Sequence, residues 1–301
     1  MVKNCVKRKL IITTFALLVF LITLTFPKTE EEIKNVTITY TQNASFPIYL
    51  LDKDEFVART SISLKSTDVV KQAKELIAMM TIDNASAAYI PNLFAPILPK
   101  NTRVLSIDVQ DTTLKVNLSQ EFLNIPKGYE EKVLECLVYS LTELEGVDSI
   151  LLYVEGDVLD TLPNTNEKLP LLLTRDIGVN KIYDLTNLKD VTKTTTYYIA
   201  KENDFSYYIP VTLLSNSDQN KVEIVIERLK TNPNIKTNLI SYLSANTEIK
   251  SYELLEEEIA LSFSPVLYEG IVNEDLVEEV KYSISLSLMD TLHVKNVTFV
   301  E

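Results

Sequence analysis

One pattern occurs twice in this chain, about 145 residues apart, and that repeat limits the fold more than any other feature. Leu98-Pro-Lys-Asn-Thr102 aligns without a gap on Leu243-Ser-Ala-Asn-Thr247. At the same offset Val104 meets Ile249, Ser106 meets Ser251, Leu118 meets Phe263 and Ser119 meets Ser264. Tyr139-Ser140 aligns on Tyr282-Ser283 at an offset of 143. Such a period is too long for a solenoid repeat, so it reads as a duplicated domain, and 301 residues suit two domains.

The hydrophobic pattern predicts the same element order in both copies, β-β-α-β-β-α-β. In the first copy, strands are expected at Phe46–Asp52 and Val57–Leu64 around the polar turn Lys53-Asp54-Glu55. Thr67-Asp68 starts a helix whose apolar residues Val69, Val70, Ala73, Leu76, Ile77 and Met80 share one face. After Pro91, Pro96 and Pro99 come a hairpin (Arg103–Val109, Thr113–Ser119), a helix Tyr129–Glu145 ended by Gly146, and a strand Ser149–Glu155. The second copy reads as strands Thr196–Ala200 and Tyr207–Leu214, a helix from Ser217-Asp218 to about Thr231, and a short helix Ile235–Leu243. It continues with a hairpin (Glu248–Leu255, Glu258–Ser264), a helix Glu274–Leu292 and a strand Val294–Val300. The fold class is α+β: two tandem mixed-sheet domains, 46–156 and 196–301, with helices packed on the sheet and a connector at 157–195.

The N-terminus suggests a membrane anchor. Lys7-Arg8-Lys9 close a short basic segment, residues 1–9, and Leu10–Phe26 contains no charge over seventeen residues. As a helix it would extend about 26 Å, near the lower limit for a span. No small-residue cleavage site follows, so the stretch reads as an uncleaved signal-anchor rather than a removed signal peptide. The basic cluster stays cytoplasmic, and residues 27–45 form a juxtamembrane linker to extracytoplasmic domains.

Reactive chemistry has little support. Only five glycines occur and no phosphate-cradling glycine motif is present, which disfavours a nucleotide enzyme. Five of the 29 Lys/Arg lie in residues 1–28, leaving 24 bases against 42 acids, so nucleic acid would be repelled. Cys136 lies on a helical core face, and Cys5 lies across the expected membrane from it, so neither a disulfide nor a metal site follows. His293, the one histidine, sits at the end of a helix, where a cation suits the dipole. Glu130-Glu131 open a helix and Glu256-Glu257-Glu258 fall in a hairpin turn; neither makes a catalytic pair. Asp83, Asp108, Asp111 and Asp148 lack calcium-loop spacing, and the sequons at Asn35, Asn43, Asn84, Asn117 and Asn296 read as chance. No catalytic, cofactor or metal residues are assigned, and no cofactor is expected. Tyr139 and Tyr282 are expected at equivalent points of the two closing helices, with rings packed.

LVYSLTELEGVDSILLYVEG (Leu137–Gly156) is similar to the closing signature of the GerMN domain, which the first copy resembles. LPKNTRVLSIDVQDTTLKVNLSQEFL is similar to its central block, through Pro99, Thr102, Val116, Asn117, Leu118, Ser119 and Phe122. Asn117 stands where the family usually has Asp, which argues against a required carboxylate. The second copy departs, with Ser244 for the proline and Ser262 for the Asp/Asn. The resemblance implies a role in sporulation or germination and a fold like the ring-building motifs of secretion assemblies, without enzyme activity. Family members are generally lipoproteins; this chain lacks the lipid-acceptor Cys at the end of its apolar run, so a transmembrane anchor would take that place. The expected function is a membrane-anchored extracytoplasmic scaffold that binds other envelope proteins or itself. Peptidoglycan binding between the domains is the alternative, and a wall hydrolase a weaker one.

Overall fold

The computed structural model describes residues 45–203, 205–231, 239–240, 242–264 and 274–300. The expected cytoplasmic segment, anchor and most of the linker lie outside them. Among the described residues no helix is long and apolar enough to cross a membrane.

The first copy contains β1 (Phe46–Asp52), β2 (Val57–Ile62), α1 (Val69–Met80), β3 (Phe94–Ala95), β4 (Val104–Gln110), β5 (Thr113–Leu118), α2 (Glu130–Leu141) and β6 (Ser149–Val154). Helix α1 forms as its pattern predicts: Asp68 caps Lys71 N at 2.9 Å, and Ala73, Leu76, Ile77 and Met80 are buried. After β7 (Asp157–Val158) and β8 (Ile182–Asp184), the second copy contains β9 (Thr192–Glu202), β10 (Phe205–Ser215), α3 (Lys221–Leu229), β11 (Leu239–Ile240), β12 (Ile249–Leu254), β13 (Glu258–Phe263), α4 (Glu274–Leu292) and β14 (Asn296–Val300). Asn220, rather than Ser217 or Asp218, caps α3 by accepting from Val222 N. The helix expected at Ile235–Leu243 is corrected at Leu239–Ile240, which form a strand on the open edge of β9. Two residues that complete a ladder override a short, ambiguous apolar run. Residues 232–238 lie outside the described part.

The strands do not form one mixed sheet per copy. Each copy divides between two sheets, and the first hairpins of both copies merge into a single sheet ordered β11-β9-β10-β2-β1-β3, with β8 parallel on β10. This order reads alike from either end: the short outer strand, the first strand and the second strand of one copy meet those of the other in reverse. The join is antiparallel, second strand to second strand, with Tyr208 opposite Arg59. Two smaller sheets lie outside it. Strands β4-β5-β6-β7 form one and β12-β13-β14 the other, each with an antiparallel hairpin and a parallel closing strand.

Contacts confirm the repeat in detail. Thr102 N bonds Pro99 O and Thr247 N bonds Ser244 O, so serine in place of proline keeps the turn. Arg103 N reaches Ser119 Oγ at 3.0 Å, and Glu248 N reaches Ser264 Oγ at 3.4 Å. A register shift falls at Val104/Ser106 in one hairpin and at Ile249/Ser251 in the other. One apolar core holds the first copy together with Tyr197, Tyr198, Tyr207, Ile209, Val211 and Leu286 of the second; a smaller core lies within the second copy.

Candidate functional site

The closing helix of each copy lies along the outer edge of its first strand, and its hydroxyls replace a missing neighbour strand. Ser140 Oγ accepts from Tyr49 N at 2.9 Å and donates to Tyr49 O. In the second copy Ser287 Oγ accepts from Tyr197 N, Ser283 Oγ donates to Tyr197 O, and Thr291 both accepts from Thr195 N and donates to Thr195 O. Buried backbone groups on a strand edge must find partners, and serine or threonine on the facing helix supplies them. The Tyr-Ser signature therefore builds the fold.

These contacts correct one sequence alignment. Strand β6 pairs Ser149 with Thr113, and β14 pairs Asn296 with Glu258, so the closing segments match at an offset of 147. Ser140 then corresponds to Ser287, Glu143 to Asp290 and Gly146 to His293; Tyr139 corresponds to Leu286. The Tyr139–Tyr282 equivalence is wrong by one helical turn, because the dipeptide recurs on a helix rich in alternating Ser and Leu. Tyr139 is fully buried beside Tyr49, whereas Tyr282 packs at the copy junction on Tyr208 and under Arg59, 5.1 and 5.3 Å away. His293 and Gly146 share positive φ, 58° and 73°. His293 thus holds the left-handed cap position, and its Nε2 lies 4.0 Å from Asp176.

Equivalent side chains meet at the junction. Tyr49 and Tyr197 are both fully buried, and their hydroxyl oxygens lie 3.0 Å apart. Tyr49 donates to Glu143 at 2.9 Å and Tyr197 donates to Asp290 at 3.0 Å. Arg175, from the connector, binds Glu143 at 2.7 Å and Thr142 at 2.9 Å, and covers the Tyr49 and Tyr139 rings. Arg59 Nε is buried 3.6 Å from Glu143, an ion pair beyond hydrogen-bond range. Burial pushes the Glu143 carboxyl up, but Arg175, Arg59 and the Tyr49 bond together hold it below its usual range. Burial raises Asp290, and Arg175 offsets that only in part. Burial raises both tyrosines, so the hydroxyls stay neutral donors. The cluster is packed against rings and binds groups of both copies together, so it forms a joint between them.

A connector residue finishes this joint. Pro210 in β10 has no N–H, so the β10–β2 ladder cannot continue past it. Asn180, at φ 45°, fills the gap: its Oδ1 accepts from Val57 N at 3.0 Å, and its Nδ2 donates to Val57 O and Pro210 O at 2.8 and 2.7 Å. The neighbouring Lys181 bridges Glu131 and Glu135 at 2.8 and 3.0 Å. Although burial opposes its charge, Glu135 and Glu131 push its pKa up to about 12. Leu173 of the apolar run Leu169–Leu173 exchanges backbone bonds with Ile150.

The remaining sequence candidates occupy structural places. Cys136 is buried, and burial raises its thiol, which keeps it inert. Glu130 and Glu131 open α2; Glu257 pairs with Lys295 at 2.7 Å and Asp83 with Lys100 at 2.6 Å. Asp108, Asp111 and Asp148 are exposed, and no metal-holding cluster occurs among the described residues. Asn117 Oδ1 accepts from Gly156 N at 3.0 Å, an acceptor role that Asn and Asp share. Asn84 caps a short 3-10 helix and Asn296 opens β14; Asn35 and Asn43 lie outside the described residues.

Two surface features were not visible in sequence. Among the described residues, β4 and β12 have no partner on their outer edges, and each exposes apolar side chains: Leu105 and Val109 on β4, Tyr252 and Leu254 on β12. A groove of about 480 Å³ runs between the β1–β2 turn, the start of α2 and the connector.

This geometry defines a class: an α+β protein made of a duplicated unit whose copies join sheet edge to sheet edge. Residues 47–160 match the family model described as Germane: Sporulation and spore germination. The chain is 29% identical over 284 residues to the spore germination protein GerM of Bacillus subtilis (strain 168), spanning 90% of this chain and 75% of that protein. Its structure matches the solved tandem GerMN domains of the sporulation protein GerM from Bacillus subtilis with a TM-score of 0.75 at 25% identity, over 85% of this chain and 89% of that one. The first copy thus matches the Germane family model, and the chain as a whole is similar to GerM and its tandem GerMN domains.

Proposed function

We propose that this chain is a non-enzymatic scaffold in envelope assembly during sporulation or germination, held to a membrane by its N-terminal apolar segment, with both domains extracytoplasmic. The observation that carries this reading is the pair of apolar edges on β4 and β12, one in each copy, neither paired among the described residues. An open edge with exposed apolar side chains suits strand addition by a partner protein or a second copy. The signature hydroxyls and the junction carboxylates are already engaged in holding the fold together, so they are not free to act as a nucleophile–base pair.

Photo-crosslinking in a sporulating host tests the proposal. A photoreactive residue at Leu105 or Leu254 is expected to give discrete heavier adducts in the membrane fraction, while one at Leu188, exposed on the connector, gives none. Edge positions that give no adducts, or purified peptidoglycan retaining the chain as strongly as any protein does, would overturn the scaffold in favour of a wall-binding role.

A further inference from the structure

The groove beside the connector contains a buried carboxylate with an unused oxygen. Glu130 is 2% exposed and lines the groove. Its Oε1 accepts from Asn164 N, but its Oε2 is buried without a hydrogen-bond partner. A buried acceptor left unmade is costly, and a charged one more so, so this lining residue lacks a donor.

The surrounding charges fix the kind of donor. Glu55, Glu131 and Glu135 join Asp54 and Glu130 along the groove, against Lys132 and Lys181: five carboxylates and two ammonium groups. Both ammonium groups are occupied, Lys181 by Glu131 and Glu135 and Lys132 by Glu55 at 3.5 Å. The excess of three negative charges excludes phosphate and other anions and attracts a cation. Among the described residues no group of carboxylates is arranged to hold a metal ion. An organic cation with several N–H donors remains, of a size that a groove of about 480 Å³ admits. A lysine or arginine side chain meets these needs and forms the stronger, charge-assisted bond.

We propose that this groove receives a lysine or arginine side chain from a basic segment of a partner protein, with Glu130 Oε2 as its acceptor. The inference deepens the scaffold role and rests on it, since it names the chemistry of one partner contact away from the strand edges.

Calorimetry on the full chain in detergent at low salt tests it, with an end-blocked pentapeptide of alternating lysine and arginine as probe. One-to-one binding is expected, with affinity lowered about tenfold by Glu130→Gln, the order of one charge-assisted bond. Glu223→Gln removes the same charge from the other copy and is expected to leave affinity unchanged. No binding to the unaltered chain, or equal loss from both substitutions, would overturn the proposal, as would spermidine binding as tightly as the peptide. If Glu130→Gln does not fold, nuclear magnetic resonance shifts in the unaltered chain decide: they must centre on Gly128, Thr165 and Tyr183, and shifts elsewhere contradict the assignment. Failed peptide binding with edge crosslinks intact removes the groove alone; lost crosslinks remove the scaffold reading itself.

Discussion

The hydroxyl oxygens of Tyr49 and Tyr197 lie 3.0 Å apart, each from the first strand of its own copy. One donates a hydrogen bond to Glu143 and the other to Asp290, at equivalent places on the two closing helices. A duplicated unit has thus turned one internal tyrosine–acid pair into a contact between copies. Tyr49→Phe and Tyr197→Phe are each expected to cost about 1–2 kcal/mol in denaturant unfolding. The double variant should depart from their sum by about 0.5–1 kcal/mol, because the two hydroxyls are in direct contact.

Asn180→Ala leaves Val57 N–H and two strand carbonyls without their partner at the point where Pro210 stops the ladder. A loss of about 2–4 kcal/mol is expected, measured by urea unfolding. Asn180→Asp keeps the acceptor and removes both donors, so it should also destabilise.

The two junction acids respond to pH in opposite senses. Glu143 is held below its usual range, so its contribution is present above the unfolded pKa and fades as pH falls through the folded one. Asp290 is raised, so its contribution is full below its unfolded pKa and fades as pH rises through the folded one. Glu143→Gln should therefore flatten the acid limb of the stability curve. Asp290→Asn should gain on the unaltered chain as pH rises toward neutral, since the amide oxygen can still accept from Tyr197. Thermal unfolding across pH checks both signs.

His293 takes a left-handed conformation that Gly146 takes in the first copy. Because its side chain is mostly exposed, His293→Gly gives up little packing and removes the strain. A gain of about 0.5–1 kcal/mol is expected in equilibrium unfolding.

Much of this fold was legible in sequence because the repeat and the two periodicities record local structure. The central hairpins, with Ser119 and Ser264 closing equivalent turns, could be placed by counting. The sheet join could not, since strand alternation does not say which edge meets which. The closing helices misled for a physical reason: Tyr-Ser appears in both, but the serines that matter are those facing Tyr49 and Tyr197. Facing is set by the parallel ladders, which fix the offset at 147. Asn180 carried no signal at all, because its role depends on Pro210, thirty residues away.

The central claim is that the two copies fold as one body through the shared sheet. Native-state amide hydrogen exchange tests this most directly, at Leu50 in β1 and Ile209 in β10, both fully buried. The account predicts that both amides exchange only through global unfolding, with the same free energy, and that Asn180→Ala lowers both equally. Separate free energies for the two strands, with Asn180→Ala lowering only one, would contradict it.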